Sequence, residues 1–245
     1  MVDDEPTASP GLPLAQLAEL QRAFESALAG ADPESPVPSC GRWSVRELAE
    51  HLGSVHVWAA GKVLGERLER PGAAAARDGA SDDRSLASRY RADAELLRTT
   101  LSSVPTDQPC QTFTGLGPAS FWQRRQIHET LIHLWDLSQA LGSAMPEVQS
   151  AVWEDCVAEV VEVLHPRQLG LGRAEDPQDS LLLISESSGR QWRVPAGSSA
   201  EPAAVIRACD DELALLLWGR LEETGLTVSG DARAAAAVLA GPLTP

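Results

Sequence analysis

The chain has 245 residues, of which 43% are hydrophobic and 22% are charged, a composition typical of a globular protein with a sizeable core. Its formal net charge of −15 opposes contact with phosphate backbones and anionic lipids, so we expect neither a nucleic-acid nor a membrane partner. No apolar run reaches the roughly 20 residues that span a bilayer. The acidic start M-V-D-D-E-P does not resemble a signal peptide, so we expect a cytoplasmic protein. By default we expect a monomer or a weak oligomer.

The cysteines suggest neither a zinc knuckle nor a redox motif. Cys40, Cys110, Cys156 and Cys209 are far apart, and no C-x-x-C pair occurs. In a cytoplasmic chain we expect them to be reduced, and buried or incidental. No histidine stands in a recognisable nucleophile motif, which disfavours a catalytic cysteine.

The first half of the chain begins with two helical patterns. Residues 1–11 are polar and rich in proline, and we expect them to be loosely attached. Apolar residues then recur at three- and four-residue steps through residues 12–28, which predicts an amphipathic helix. Ser44 and Glu47 form a capping-box pattern, so a second helix is predicted from Ser44 to about Leu68.

Two further helices are predicted before residue 142. A connection rich in glycine, alanine and aspartate covers residues 71–83 and leads into a third helix over residues 85–103. A long loop is predicted for residues 105–118, and a fourth helix for residues 119–141. Four helices joined in this order predict an up-down bundle.

The pattern changes in the C-terminal part. A helix over residues 147–164 is predicted to end at His165-Pro166. A hairpin, a third strand, a helix capped by Asp210, a short strand and a last helix are predicted to follow, over residues 180–194, 203–209, 210–221, 226–229 and 232–239. We therefore expect an α+β protein with a four-helix bundle over residues 1–145 and a small α+β domain over residues 146–245.

The fourth helix carries the most informative motif. Ser120 is its expected N-cap, and Gly142 is its expected stop. Glu129 and His133 are four residues apart, so they lie about one turn apart on one face. A carboxylate and an imidazole placed in this way can bind one divalent metal ion if a third ligand comes from elsewhere.

The expected third ligand is His51 of the second helix. It stands between Leu48 and Val55 at the edge of the apolar face, from which it can point into the bundle. His51, Glu129 and His133 would suit zinc or another first-row divalent ion and leave coordination positions open for water or substrate. Asp136 follows His133 by three residues and could accept a hydrogen bond from an imidazole.

These histidines and Glu129 could also belong to a peptidase motif, to the core or to an ion pair. His128 and His133 are five residues apart, so roughly 140° separates them around a helix, and the zincin motif H-E-x-x-H is not matched. A histidine near an apolar face can also be a hydrogen-bonded core residue. Glu129 could pair with Arg125. We expect Arg124 and Arg125 to form surface ion pairs rather than to bind an anion.

Two segments, G-R-W-S-V-R-E-L-A-E-H-L and R-R-Q-I-H-E-T-L-I-H-L-W-D, resemble the actinobacterial mycothiol-dependent maleylpyruvate isomerase family. The resemblance implies an N-terminal DinB-like metal-binding four-helix bundle, in which a histidine of the second helix and a Glu-x-x-x-His of the fourth bind the metal. Those positions match His51, Glu129 and His133. The tail, with L-L-L-W-G-R-L and L-T-V-S-G-D, resembles the sterol-carrier-like C-terminal domain of the same family.

The resemblance further implies an enzyme, an isomerase or S-transferase, that uses mycothiol and a divalent metal, most readily zinc. The thiol would bind at the open metal position as a thiolate and add to a small electrophilic substrate. The second domain is expected to close over the pocket and to supply Arg220 as a catalytic residue that binds a substrate carboxylate.

Several alternatives stay open at the level of sequence. Arg220 could instead cap the end of its helix. Trp43 and Trp218 could line the pocket or belong to the core, and Asp231 reads as a turn or cap residue. The chain could also be a thiol-independent, metal-dependent hydrolase, or a non-enzymatic carrier of a small molecule.

Overall fold

The computed structural model describes residues 12–73, 84–222 and 225–245. The chain divides into two compact units, Met1–Met145 and Pro146–Pro245. The segment 1–11, expected to be loosely attached, and most of the connection 71–83 lie outside the described residues. Among the described helices, none is long and apolar enough to cross a bilayer.

The described residues of the first unit form four long helices. They are α1 (Leu14–Leu28), α2 (Val45–Leu64), α3 (Leu86–Ser103) and α4 (Ser120–Leu141). The capping box of Ser44 and Glu47 is present at the start of α2, as its pattern predicts. The helix ends at Leu64 rather than near Leu68, because Gly65 takes a left-handed conformation with φ of 72° that glycine adopts without strain.

These helices pack as a bundle around an apolar core. Helix α2 packs against α3 and α4, and α1 packs against α3 and α4. The largest apolar side chains of the stripes are fully buried, among them Leu17, Phe24, Leu52, Leu97 and Leu131. Burying one such side chain contributes roughly 1.5–3 kcal/mol, so the periodic stripes supply much of the energy that holds α2 and α4 together.

A short hairpin occupies the segment for which the sequence predicts only a loop. Strands β1 (Pro109–Thr112) and β2 (Gly115–Pro118) pair antiparallel. The prediction failed because these strands contain proline and glycine and show no alternating apolar pattern. Tertiary contacts support the hairpin instead: the indole Nε1 of Trp122 donates to the carbonyl of Gln111 at 2.9 Å.

The start of α4 also differs from its prediction. Ser120 is the first helical residue, and Ala119 is the N-cap without a side-chain hydrogen bond. The chain enters the helix directly from β2, where backbone bonds from Ala119 to Gln108 and from Ser120 to Thr106 satisfy the free N–H groups. The predicted stop at Gly142 is confirmed, since that residue takes the left-handed conformation.

The second unit is an α+β structure. Its helices are α5 (Ser150–Glu159), α6 (His165–Gly170), α7 (Asp210–Leu217) and α8 (Ala232–Leu239), and its strands are β3 (Leu181–Ser185), β4 (Gln191–Val194), β5 (Ala204–Ala208) and β6 (Thr227–Gly230). The strand order is β4-β3-β5-β6, with β3 and β5 parallel and the other pairs antiparallel. The predicted strands and the α+β class are confirmed.

Two boundaries in this unit were predicted wrongly. The helical course does not end at His165-Pro166: a π-helical segment, Val160–Leu164, continues from α5 into α6. Pro166 lies in the first turn of α6, where its missing N–H is tolerated. Cys209, rather than Asp210, is the N-cap of α7, because Glu212 closes a capping box onto the Cys209 backbone.

A buried polar network lies inside the first unit. Arg98 donates to Gln21 Oε1 at 2.6 Å, which turns the amide nitrogen of Gln21 toward His56 Nε2 at 3.2 Å. The other ring nitrogen of His56 lies 2.7 Å from the Oε1 acceptor of Gln126. His56 is therefore held as the neutral tautomer with its proton on Nδ1, and burial lowers its pKa to about 4.

This depressed pKa predicts a loss of stability in acid. Between pH 6.5 and 4 the unfolded chain binds a proton at His56 that the folded chain does not, so stability decreases as the pH decreases. We expect the free energy of unfolding to lose about 3 kcal/mol from this group. Denaturant unfolding of the wild type and of His56→Gln should show the difference shrinking across this window; parallel pH profiles would contradict the assignment.

Candidate metal centre

Helices α2 and α4 bring His51, Glu129 and His133 together. His51 Nε2 lies 3.4 Å from Glu129 Oε1, and His133 Nε2 lies 3.3 Å from the same oxygen. Glu129 and His133 meet because they are one turn apart on α4, whereas His51 joins them only through the packing of the two helices. The three ligand atoms all lie within 4.8 Å of one another.

The donor set and its spacing fit a divalent cation. Ligands at about 2.1 Å from a tetrahedral zinc ion lie about 3.4 Å apart, which is the separation between each Nε2 and the shared carboxylate oxygen. Two imidazoles and one carboxylate leave a fourth position for an exchangeable ligand, as in catalytic zinc sites. These three residues are therefore able to hold a first-row divalent ion.

The second oxygen of Glu129 binds a buried arginine. Arg125, one turn earlier on α4, donates from Nη2 to Glu129 Oε2. The expectation that Arg125 forms a surface pair is wrong, because this side chain is only 3% exposed. With Oε2 engaged by Arg125, Oε1 is the carboxylate oxygen that faces both imidazoles, so the arginine orients the carboxylate.

The far side of His133 is held by Asp136. His133 Nδ1 donates to Asp136 Oδ2 at 2.9 Å, which leaves Nε2 directed toward Glu129. Ser39 and Cys40 donate to the two oxygens of this fully buried carboxylate, at 2.6 and 3.3 Å. Burial alone would lower the pKa of His133, but the hydrogen bond to Asp136, the contact with Cys40 and the charge of Asp136 outweigh burial and raise the pKa.

The contribution of Ser39 and Cys40 could not be read from the sequence. They belong to a 3-10 turn, Pro38–Cys40, that packs on α4 from almost 100 positions earlier in the chain. Cys40, His133 and Asp136 also form a second group of potential ligand atoms. Since hydrogen bonds already join these three side chains, we interpret the group as the support of His133.

Trp43 covers the two imidazoles. Its ring centroid lies 4.7 Å from that of His51 and 6.4 Å from that of His133. His51 keeps about a third of its side chain exposed, and burial together with the neighbouring His133 lowers its pKa to about 4. His51 is therefore neutral at pH 7, with a lone pair available to a metal. This position favours the prediction that Trp43 lines the site over a purely structural role.

The contacts of Arg220, Trp218 and Asp231 in the second unit include bonds that cap helix ends. Arg220 Nη1 donates to the carbonyl of Trp218, which follows the last residue of α7, as expected for a helix-capping arginine. Trp218 is buried, with 7% of its surface exposed. Asp231 accepts from the backbone N–H groups of Arg233 and Ala234, which confirms its assignment as a cap residue.

Comparison with known proteins identifies the family. A family model described as the mycothiol maleylpyruvate isomerase N-terminal domain matches residues 14–138. Crystal structures of a mycothiol-dependent maleylpyruvate isomerase and of a histidine-to-alanine mutant of it are similar to this chain, with 18% and 17% identity and TM-scores of 0.62. Each covers 90% of this chain and 95% of its own. No curated protein matches.

The likeness to the solved structures defines the class of the protein as α+β, with a helical bundle at its N-terminal end. The chain belongs to the mycothiol maleylpyruvate isomerase family. The resemblance on which the sequence-based expectations rest is thereby confirmed, as is the expectation that the chain belongs to a family of enzymes.

Proposed function

We propose that this protein is a mycothiol-dependent isomerase or S-transferase that acts on a small electrophilic substrate and requires a divalent metal, with zinc as the first candidate. The observation that carries the proposal is the convergence of two Nε2 atoms on one oxygen of Glu129 in a chain of this family. When bound by His51, Glu129 and His133, a divalent cation would lower the pKa of a thiol at its open position and so supply a thiolate near pH 7.

The surrounding residues prepare that centre before any ligand arrives. Arg125 and Asp136 fix the rotamers of Glu129 and His133, so little ordering is required when a cation binds. Trp43 shields the imidazoles on one side and reduces the access of water. The net charge of −15 opposes nucleic acid and anionic membranes as partners, in keeping with a small-molecule substrate.

Titration calorimetry with mycothiol tests the proposal. The zinc-loaded protein should bind mycothiol, and the chelator-treated protein should bind it at least about 10-fold more weakly, because the cation stabilises the thiolate. Maleylpyruvate and mycothiol together are the first assay pair, since the structurally similar enzyme is named for them. Zinc binding without mycothiol binding would contradict the thiol-dependent activity and favour a metal-dependent hydrolase.

We propose Arg220 as the residue that binds a substrate carboxylate. The guanidinium group can bind a carboxylate through two parallel hydrogen bonds, which a lysine cannot reproduce. We expect Arg220→Lys to lower kcat/KM by about 10- to 100-fold with unchanged metal content. The exposed Arg233→Lys is the control. Full activity of Arg220→Lys would contradict the proposed role in carboxylate binding and favour a structural role such as the capping bond to Trp218.

A further inference from the structure

A groove lies along the C-terminal half of α2, separate from the three candidate ligands. Its volume is about 670 Å³, and its lining includes Ser54, Trp58, Lys62, Arg70 and Gln111. Gly61 and Gly65 also contribute to the lining, and the space beside Gly65 is open, since a Cβ there would meet no atom within 4 Å. Nothing in the metal centre requires this space.

The groove continues the face of α2 that carries His51. Ser54, Trp58 and Lys62 follow His51 by three, seven and eleven residues, which are the spacings of one helix face. The centre of the Trp58 ring lies 4.9 Å from that of Trp122. Trp122 lies on α4, seven residues before Glu129. His51 contacts Glu129, and Trp58 contacts the earlier residue Trp122, so α2 and α4 run antiparallel along this face. Trp58 lies about 10 Å from His51 along the axis of α2.

The side chains of the groove suit a neutral, hydroxyl-rich ligand. Trp58 is fixed by ring contacts to Trp122 and Phe113, yet 46% of its surface is exposed. An exposed indole beside hydroxyl, amide and ammonium groups offers a ring with an apolar face both packing area and hydrogen bonds. The Nζ of Lys62 lies 5.5 Å from the centre of the Trp58 ring, so its charge is next to this aromatic surface.

The charges of the groove do not favour an anionic ligand. Arg70 contributes to the lining, but its guanidinium binds the buried carboxylate of Asp93. Arg67 is accompanied by Glu66 in the same lining. Among the described lining residues, Lys62 and Arg67 therefore face a single carboxylate, that of Glu66, and this small excess of positive charge is too little for tight binding of a multiply charged anion.

We propose that this groove binds the sugar part of the thiol cofactor while its sulfur lies at the metal centre. This inference rests on the proposed function and specifies how the same site recognises its thiol. Mycothiol joins an acetylated cysteine to an aminosugar and a cyclitol, so its rings stand away from the sulfur by the cysteinyl amide. The distance of about 10 Å between His51 and Trp58 along α2 accommodates such a separation.

The test compares mycothiol with N-acetylcysteine, which has the thiol but no sugar, by calorimetry on the zinc-loaded protein. Mycothiol should bind the wild type at least about 10-fold more tightly. Trp58→Ala should weaken mycothiol binding about 10-fold and Lys62→Ala about 3-fold, with N-acetylcysteine binding unchanged. Leu116→Ala, at an exposed apolar residue of the β1–β2 hairpin, should change neither.

The outcomes separate this inference from the proposed function. One contrary result is that the wild type binds mycothiol and N-acetylcysteine with equal affinity, and another is that each variant loses the same factor of affinity for both thiols. Either result shows that the groove is not a sugar site, although the thiol-dependent function stands. If the wild type binds neither thiol, the proposed function fails as well. Thermal melting checks that Trp58→Ala is folded. If Trp58→Ala is unfolded, the binding of the two thiols to Lys62→Ala decides the test, because Lys62 contributes little to the core.

Discussion

Replacing His133 with alanine is expected to lower the zinc affinity of the purified protein by at least about 100-fold, a larger effect than losing a supporting residue has. In the proposed centre the imidazole supplies one of three ligand atoms, and its Nε2 faces Glu129 Oε1 at 3.3 Å. Without it, only one nitrogen and one oxygen remain, which is too few for a stable catalytic zinc site. Metal analysis after dialysis against a weak chelator measures the change directly.

The control for this prediction is another buried histidine of the bundle. His56 lies on α2, as His51 does, but its ring nitrogens are occupied by Gln126 and by Gln21. His56→Gln should therefore retain about one zinc per chain, as in the wild type. Equal zinc content in His133→Ala and the wild type would show that the three-residue centre is not the binding site.

Arg125→Met is expected to destabilise the metal-free protein by about 3 kcal/mol and the zinc-loaded protein by clearly less. In the metal-free state the variant leaves the buried carboxylate of Glu129 without its paired cation. Bound zinc supplies a new positive charge to that carboxylate and stabilises the folded state by mass action. Denaturant unfolding with chelator and with excess zinc gives both free energies.

A surface ion pair provides the matched control. Arg46 donates to Glu34 Oε1 at 2.9 Å, but both side chains are largely exposed. Arg46→Met should cost about 0.5 kcal/mol or less, with and without zinc, because solvent screens the pair. An equal loss in Arg125→Met under both conditions would indicate that Glu129 does not face a bound cation.

Sequence periodicity determines the parts of this protein that depend on neighbours along the chain. The amphipathic stripes specify α1 to α4, and the capping box of Ser44 and Glu47 starts α2 at its observed residue. Glu129 and His133 could be paired in advance, because a single helix sets their geometry. The apolar runs of the C-terminal segments, of period two or continuous, and the turn between them likewise predict the strands of the second unit.

Tertiary structure alone decides the environment of the candidate metal centre. The antiparallel packing of α2 on α4 brings His51 to Glu129 across 78 positions of sequence, and the 3-10 turn brings Ser39 to Asp136 across 97. The burial of Arg125 follows from the same packing. A charged i,i+4 pair has the same spacing in the sequence whether it is exposed or covered by another helix, so the sequence predicts the commoner surface pair. Local propensity carries no information about such distant contacts, because they form only when whole helices bury their apolar faces together.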